Sequence, residues 1–460
     1  MRAWFRAVPV AVAVAVAGVL AAPAGAETLT DALIAAYRSS NLLEQNRAVL
    51  RAADEDVALA VASLRPVVAF TAQGAWRRAE IDTAAGPGVS EGLNASLGLS
   101  AELTLLDFGR NRLGIEIARE SVLATRQTLI EVEQQVLLAA VQAYVEVRLA
   151  QEVVALRQAN LRLITQELRA AEARFEVGET TRTDVAIAQA RLAGSRAALA
   201  AAEGNLMIAR EAYRAATGAY PGALAALPAL PALPRTLEDA QNVARGTHPL
   251  IRQAQHLVTI SGLQVDLAEA ATRPTLGLGA TIGIDDAGND SQSLGLTFRQ
   301  TLYAGGRLSA LQRQAIAGTD RARAALRQTA VGVVQGVGVA WANLAVSAAS
   351  IEASDGQIRA AQTAFDGVRE EAAAGTRTTL DVLDAEQELL DARNARLEAE
   401  AQRQVGVYRA LASMGLLTVD HLQLGIATYD PAAYFDAVRT APSHSVQGRK
   451  LDRILQAIGD

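Results

Sequence analysis

Two aspartates three residues apart, Asp381 and Asp384, are the groups in this sequence best placed to do chemistry. On a helix that spacing puts both carboxylates on one face. Two uses suit such a pair: general acid and base catalysis, or a ring of fixed negative charge where several copies of the chain meet around an axis. Catalysis needs a pocket and a shell of groups that positions a substrate, and the sequence suggests neither, so no enzyme activity is expected. A ring needs only symmetry: mutual repulsion raises the proton affinity of some members and attracts cations. Arg377, just ahead of this pair, and Asp184, at the matching place in the other half of the chain, suit a charge-assisted link between neighbouring hairpins. The remaining reactive material is sparse. The chain has no cysteine, and His248, His256, His421 and His444 are scattered, so no metal site and no cofactor are expected. The run Asp285 to Asp290 resembles part of a calcium loop but lacks its closing glutamate, and reads as a solvated turn. With 43 basic against 49 acidic side chains and a net charge of -6, the chain is a poor partner for nucleic acid.

The elements that must carry these residues are unusual. Residues 1–26 read as a secretory signal: Arg2 and Arg6, an apolar core from Ala7 to Leu20, and Ala24-Gly25-Ala26 as the cleavage site, leaving Glu27 first in the mature chain. The mature chain is internally duplicated. Thr28-Leu29-Thr30-Asp31-Ala32 returns 208 residues on as Thr236-Leu237-Glu238-Asp239-Ala240. Past the strands the offset falls to 197, matching Gly109-Arg110 to Gly306-Arg307, Gly178 to Gly375 and Asp184-Val185 to Asp381-Val382. The first copy spans 27–218 and the second 236–415, with a proline-rich linker at 219–235 and a tail at 416–460. The uncharged stretch Gln328 to Ile351 is long enough to cross a bilayer, but it aligns with Glu131 to Val154, which is charged; both are expected to be amphipathic helices outside the membrane.

Each copy reads as helix, strand pair, very long helix, tight turn and shorter helix. From Leu93 to Leu105 apolar and polar or small residues alternate strictly, a long run for one strand. Val68, Phe70, Ala72, Gly74 and Trp76 form one face of its partner, with Thr71, Gln73 and Arg77 on the other. In the second copy Leu276, Leu278, Ala280, Ile282 and Ile284 form an apolar face, as do Leu294, Leu296, Phe298 and Leu302, with Arg299 and Thr301 opposite. Strand regions of about 66–106 and 274–304, apolar on one side and polar on the other, suit a barrel with lipid outside and water inside. Loops at 77–92 and 285–290 are expected to cap its outer rim. Four strands cannot close around a lumen and a bilayer tolerates no open edge, so the barrel must be built from several chains.

The helices measure a wall. From about Asn111 to Glu176 there is no proline, which allows a helix of about 100 Å. Asp31 to Leu64 and Thr183 to Thr217 are each expected to be single helices of about 50 Å, two stacked end to end matching one long one. Leu149, Leu156 and Leu163, and Val185, Leu192, Leu199 and Leu206, recur every seven residues as in coiled-coil seams. The fold class expected is mainly α with transmembrane β: four long antiparallel helical columns per chain and four strands given to a shared barrel. Aromatic residues are only 4% of the chain, which suits a thin wall better than a thick core.

Gly375-Thr376-Arg377-Thr378-Thr379-Leu380-Asp381-Val382-Leu383-Asp384-Ala385 resembles the second hairpin tip of the TolC family of outer-membrane efflux proteins. Arg174 to Gly178, followed by Thr183-Asp184-Val185, resembles the first tip. The resemblance spans nearly the whole mature chain. It implies a homotrimer with a 12-stranded barrel and a periplasmic α-helical tunnel whose far end is closed. It also implies docking onto a periplasmic membrane fusion (adaptor) protein and an inner-membrane pump of ABC or RND type. The implied function is an exit duct for a tripartite efflux or type I secretion system, located in the outer membrane; a structural or adhesive surface protein is the alternative. On this resemblance Asp381 and Asp384 form the periplasmic gate. Arg377 with Asp184 and Thr183 form the tip link, and Val177, Gly178, Thr180, Gly375 and Thr376 meet the adaptor. Glu179 and Ala374 depart from the family pattern at the tips, and Ala372 stands where the family's namesake has a tyrosine that helps hold the closed end.

Overall fold

The computed structural model describes residues 26–83, 86–441 and 453. The signal at 1–26 and the last part of the tail lie almost wholly outside the described residues. Helices α1 (Leu29–Ser39) and α2 (Asn41–Ala62) lead into strands β1 (Val67–Thr83) and β2 (Gly86–Leu106). Then come α3 (Arg110–Glu176) and α4 (Arg182–Thr217). The order repeats as α5 (Leu237–Thr247), α6 (Pro249–Ala270), β3 (Thr275–Asp285), β4 (Asp290–Arg299), α7 (Arg307–Ala373) and α8 (Thr379–Ser413), and α9 (Pro431–Val438) comes last. Both α3 and α7 have 67 residues, close to 100 Å each at about 1.5 Å per residue.

The four strands form one antiparallel sheet in the order β1-β2-β3-β4, so the two copies join at β2 and β3. Register sets the chemistry of each face. Phe70 pairs with Leu99, Ala72 with Leu97 and Trp76 with Leu93; Leu99 in turn meets Ile282, and Leu278 meets Leu296. One face is therefore apolar across all four strands, and it is bare: Phe70, Trp76, Leu93, Leu294, Leu296 and Phe298 are each at least 64% exposed. On the opposite face Thr71 donates to the Gly98 carbonyl and Thr281 bonds Ser293 at 2.6 Å. A Cβ on Gly98 would come within 3.0 Å of Thr71 Oγ1, so glycine makes room where this face is crowded.

Three local readings of the sequence need correction. Residues 77–92 are not a rim loop: the ladder runs on through Arg77↔Gly92, Glu80↔Val89 and Thr83↔Gly86. Opposite charges directly across the strands, Arg78 and Glu91 at 3.0 Å, favour this continuation. The 17-residue β1 exceeds the roughly 9–11 residues that cross hydrocarbon, so the first hairpin projects beyond it. Leu302 belongs to no strand, because β4 ends at Arg299, and it is 89% exposed in the link to α7. Finally, Asp31 to Leu64 is not one helix. Ser40 ends α1 in an extended conformation, and its hydroxyl accepts from Leu43 N to begin α2. His248 does the same between α5 and α6, where Pro249 disfavours helical geometry in the residue before it.

The largest apolar cluster lies midway along the wall. There Leu29, Leu33 and Tyr37 of α1, Leu43 and Leu50 of α2, and Leu137, Val141 and Tyr144 of α3 meet Tyr213, Met414 and Leu417. Tyr144 lies within hydrogen-bond reach of the carbonyls of Glu27 and Ala225, and Tyr213 donates to the Glu27 carboxylate, so the start of the described chain is fastened into the wall. After α8 the chain packs along α2 and α3. Glu133 accepts from Val419 N, Tyr37 Oη accepts from Tyr429 N, and Arg47 lies between the rings of Tyr37 and Tyr429. One described helix, α7, has a centre apolar and long enough to span a bilayer, and only 17% of that window is buried. Its antiparallel partner α8 carries Arg396, Glu398, Glu400 and Arg403 alongside, and Arg396 pairs with Asp355 of α7 at 2.6 Å. Hydrocarbon would not accept that partner.

Gly415 closes α8 at φ +77°, and a Cβ there would stand 2.8 Å from the His248 Cα. Both the left-handed backbone and the backbone overlap oppose a side chain. Gly415→Ala is expected to cost about 1–3 kcal/mol, read as a lower thermal midpoint by circular dichroism with an unchanged spectrum at low temperature.

Candidate functional site

The two hairpin tips hold every site residue singled out in the sequence. Each begins where a long helix ends on a glycine. Gly178 (φ +82°) and Gly375 (φ +79°) turn the chain, while Glu179 N bonds the Arg174 carbonyl at 2.9 Å and Thr376 N bonds the Glu371 carbonyl at 3.0 Å. This pattern satisfies helix-end carbonyls and permits a turn only a few residues wide. Val177, ahead of the first glycine, is 70% exposed.

The next helix starts with a capping box in both tips. Thr378 donates its N–H and its hydroxyl to Asp381 Oδ2 at 2.9 and 2.8 Å, and Asp381 N returns to the Thr378 hydroxyl. At the first tip Thr181 bonds Asp184 in the same way, and Thr180 adds a third bond at 2.8 Å. The backbone bond from Thr378, then its hydroxyl, holds the Asp381 carboxyl below the usual carboxylate range. The hydroxyls of Thr181 and Thr180 do so for Asp184, with the Thr181 N–H adding to them. Both aspartates are charged near neutrality and both have a local structural task. T-x-x-D also opens α1 at Thr28 and α5 at Thr236, so the same four-residue signal starts four helices of this chain.

Arg377 and Asp184 are not brought together within the chain. Arg377 Nε instead donates to Glu371 Oε2 at 2.8 Å, and that bond raises the guanidinium pKa further. Thr183 is exposed on the first turn of α4, and Thr376 turns its hydroxyl back to the Glu371 carbonyl. Asp384 is joined to Arg191 of α4 at 2.5 Å, both side chains being partly exposed. Ala372 is buried at 6% beside Phe365 and Val382.

Reading the sequence missed the contacts between hairpins. Arg191 reaches Asp384, Arg369 approaches Glu167 at 3.9 Å, and a hydrogen-bonded chain runs from the half-buried Ser195 through Asn160 to Glu386, the last two buried. One signal for the last was legible: Val382, Leu383, Glu386, Leu389 and Leu390 share a helical stripe, and glutamate is out of place there. Among the described residues no cluster of three or more His, Cys, Asp or Glu side chains could hold a metal ion.

With this geometry in view, the family model for outer membrane efflux proteins matches residues 32–219 and 241–415. The chain belongs to the outer membrane efflux protein family. Outer membrane efflux protein BepC of Brucella suis biovar 1 is 35% identical over 420 residues, covering 90% of this chain and 91% of the relative. Alkaline protease secretion protein AprF of Pseudomonas aeruginosa is 27% identical over 372 residues, 76% of each chain. The fold matches the crystal structure of the outer membrane protein VceC from Vibrio cholerae with a TM-score of 0.71 at 22% identity, covering 84% of this chain and 96% of that one. Membership accounts for the bare apolar sheet face, which meets outer-membrane lipid. The long helices stand in the periplasm as the wall of an efflux channel.

The capping boxes allow a direct check of how the tips are held. Thr378→Ala removes the hydroxyl that accepts from Asp381 N and is expected to destabilise the start of α8 by about 1 kcal/mol. Faster amide exchange in the first turn of α8, with the first turn of α4 unaffected, is the result that bears this out.

Proposed function

We propose that three copies of the chain close one barrel and one tunnel, and that the assembly is the exit duct of a tripartite efflux or type I secretion system. A periplasmic adaptor would seat on the tips, and an inner-membrane pump of ABC or RND type would feed it. The observation that carries this is the four-stranded sheet with an apolar outer face and open edges at β1 and β4. Hydrocarbon leaves unpaired N–H and C=O groups at a cost of several kcal/mol each, so β4 of one copy must pair with β1 of the next. Two copies supply eight strands, and a barrel of about eight is filled by its own side chains. Three supply twelve and leave an aqueous lumen. The exposed stripe Val331, Val339 and Val346 along α7 supports the same reading, since a neighbouring copy would cover it. In mild detergent, native mass measurement is expected to give a trimer; a stable monomer would overturn the assembly.

At the far end three copies bring Asp381 and Asp384 around one axis as the gate. Arg191 pairs directly with Asp384, whereas Asp381 feels only the through-space field of an Arg377 engaged by Glu371, so Asp381 is the less compensated of the two. In the tip link Arg377 would exchange Glu371 for Asp184 and Thr183 of a neighbouring copy. Val177, Gly178 and Thr180 on one tip, with Gly375 and Thr376 on the other, offer narrow protruding ends suited to insertion between adaptor helices. Asp381→Ala with Asp384→Ala is expected to reduce cation selectivity, measured as the reversal potential across a salt gradient in planar bilayers. Arg191→Gln is expected to increase it by uncovering Asp384. Reversal potentials unmoved by either change would place the constriction elsewhere.

A further inference from the structure

Among the described residues three polar connections tie the first hairpin of the chain to the second near the tips, and only one of them runs through buried side chains of both hairpins. Arg191–Asp384 and Glu167–Arg369 each include a partner more than half exposed, where water competes. The third is different. Ser195 of α4 donates to Asn160 Oδ1 at 3.0 Å, and Asn160 of α3 donates to Glu386 Oε1 of α8 at 2.7 Å. Asn160 and Glu386 are 9% and 6% exposed. The second oxygen, Glu386 Oε2, is buried with no hydrogen-bond partner. Around this chain the seam is apolar, with Leu383 packed into the cluster of Ile164, Ala188 and Leu192, and Leu389 into that of Phe365 and Val382.

We propose that Glu386 is a proton-binding lock between the two hairpins: with its proton it lets α8 stay seated against α3 and α4, and without it that seat loosens. A bare carboxylate needs more hydrogen-bond donors than Asn160 alone provides, whereas a carboxylic acid suits an apolar seam. The charged groups facing it do not make up the difference. From α3, Glu167 repels its negative charge. From α4, Arg191 attracts it but is already engaged by Asp384 at 2.5 Å. From α7, Arg369 is directed to Glu167, and on α8 itself the acidic neighbours Asp384 and Glu388 stand two residues to either side. Burial therefore pushes the carboxyl up to about 7, opposed by the Asn160 bond and reinforced by Glu167.

Linkage fixes the sign. In the seated state Glu386 binds its proton near pH 7, and in a loosened, hydrated state near its ordinary 4.5. Seating is thus favoured most below about pH 4.5, and this contribution is lost as pH rises through 7. Swinging one hairpin against the other, as widening the closed end requires, must bring Glu386 into water and release the proton. That functional meaning rests on the duct reading; the lock itself does not, and it can be tested without measuring conduction.

The chain has no cysteine, so an introduced thiol is the sole one. Leu383 is 1% exposed in the seam and Leu380, on the same helix, is 39% exposed. The modification rate of L383C relative to L380C, in the purified full-length protein, reports opening of the seam with the pH dependence of thiol chemistry cancelled. Between pH 8.5 and pH 5.5 the ratio is expected to fall roughly thirtyfold, and with Glu386→Gln added it should stay at the low-pH value throughout. Amide exchange across α8 in the chain without cysteine, corrected for intrinsic rates, should show the same pH trend and the same loss of it in E386Q. A ratio flat with pH, or a slope that survives in E386Q, overturns the proposal. If the lock holds but the protein does not conduct, the duct reading fails by itself.

Discussion

Backbone hydrogen bonding in hydrocarbon is the constraint on which the rest of the molecule depends. A sheet of four strands whose first hairpin is apolar on one face from Val68 to Trp76 has to enter lipid, yet its edges at β1 and β4 remain open within the chain. No rearrangement of one chain cures that, because four strands are too few to curl shut. Closure must come from further copies, and closure imposes an axis. Once an axis exists, the 67-residue helices standing below the sheet become staves of a tube, and the hairpin tips at their far ends fall near one another.

The roles proposed for the tips build on modest local rules. Asp381 and Asp184 first serve the helices they open, where a threonine three residues earlier holds each carboxylate. The same hydrogen bonds keep them ionised, which is what the proposed ring asks of Asp381 and the proposed tip link asks of Asp184. Asp384 has no such cap and is held by Arg191 from the other hairpin. The two members of the D-x-x-D pair are therefore unequal, although their spacing alone makes them look alike.

Much of this was legible in the sequence, and the failures have physical causes. Alternation from Leu93 to Leu105 and the proline-free run before Glu176 reveal strand and helix because period and length are properties of the chain itself. The break at Ser40 was missed because serine mid-helix and serine as a cap look alike until its hydroxyl is seen on Leu43 N. Residues 77–92 read as a loop because glycines and charges crowd there, while the pairing of Arg78 with Glu91 depends on a register that only the folded hairpin fixes. Arg191 with Asp384, and Asn160 with Glu386, are separated by 193 and 226 residues, so no local pattern announces them.

The unequal hairpins have a consequence for the cell surface. β1 and β2 have 17 and 21 residues against 11 and 10 for β3 and β4, yet both pairs rise from helices of equal length below. Extra residues at the top of an antiparallel ladder extend it without shifting any pair beneath. The outer crown can thus grow, shrink or change its antigenic character in one copy of the repeat while the conduit under it keeps its bore.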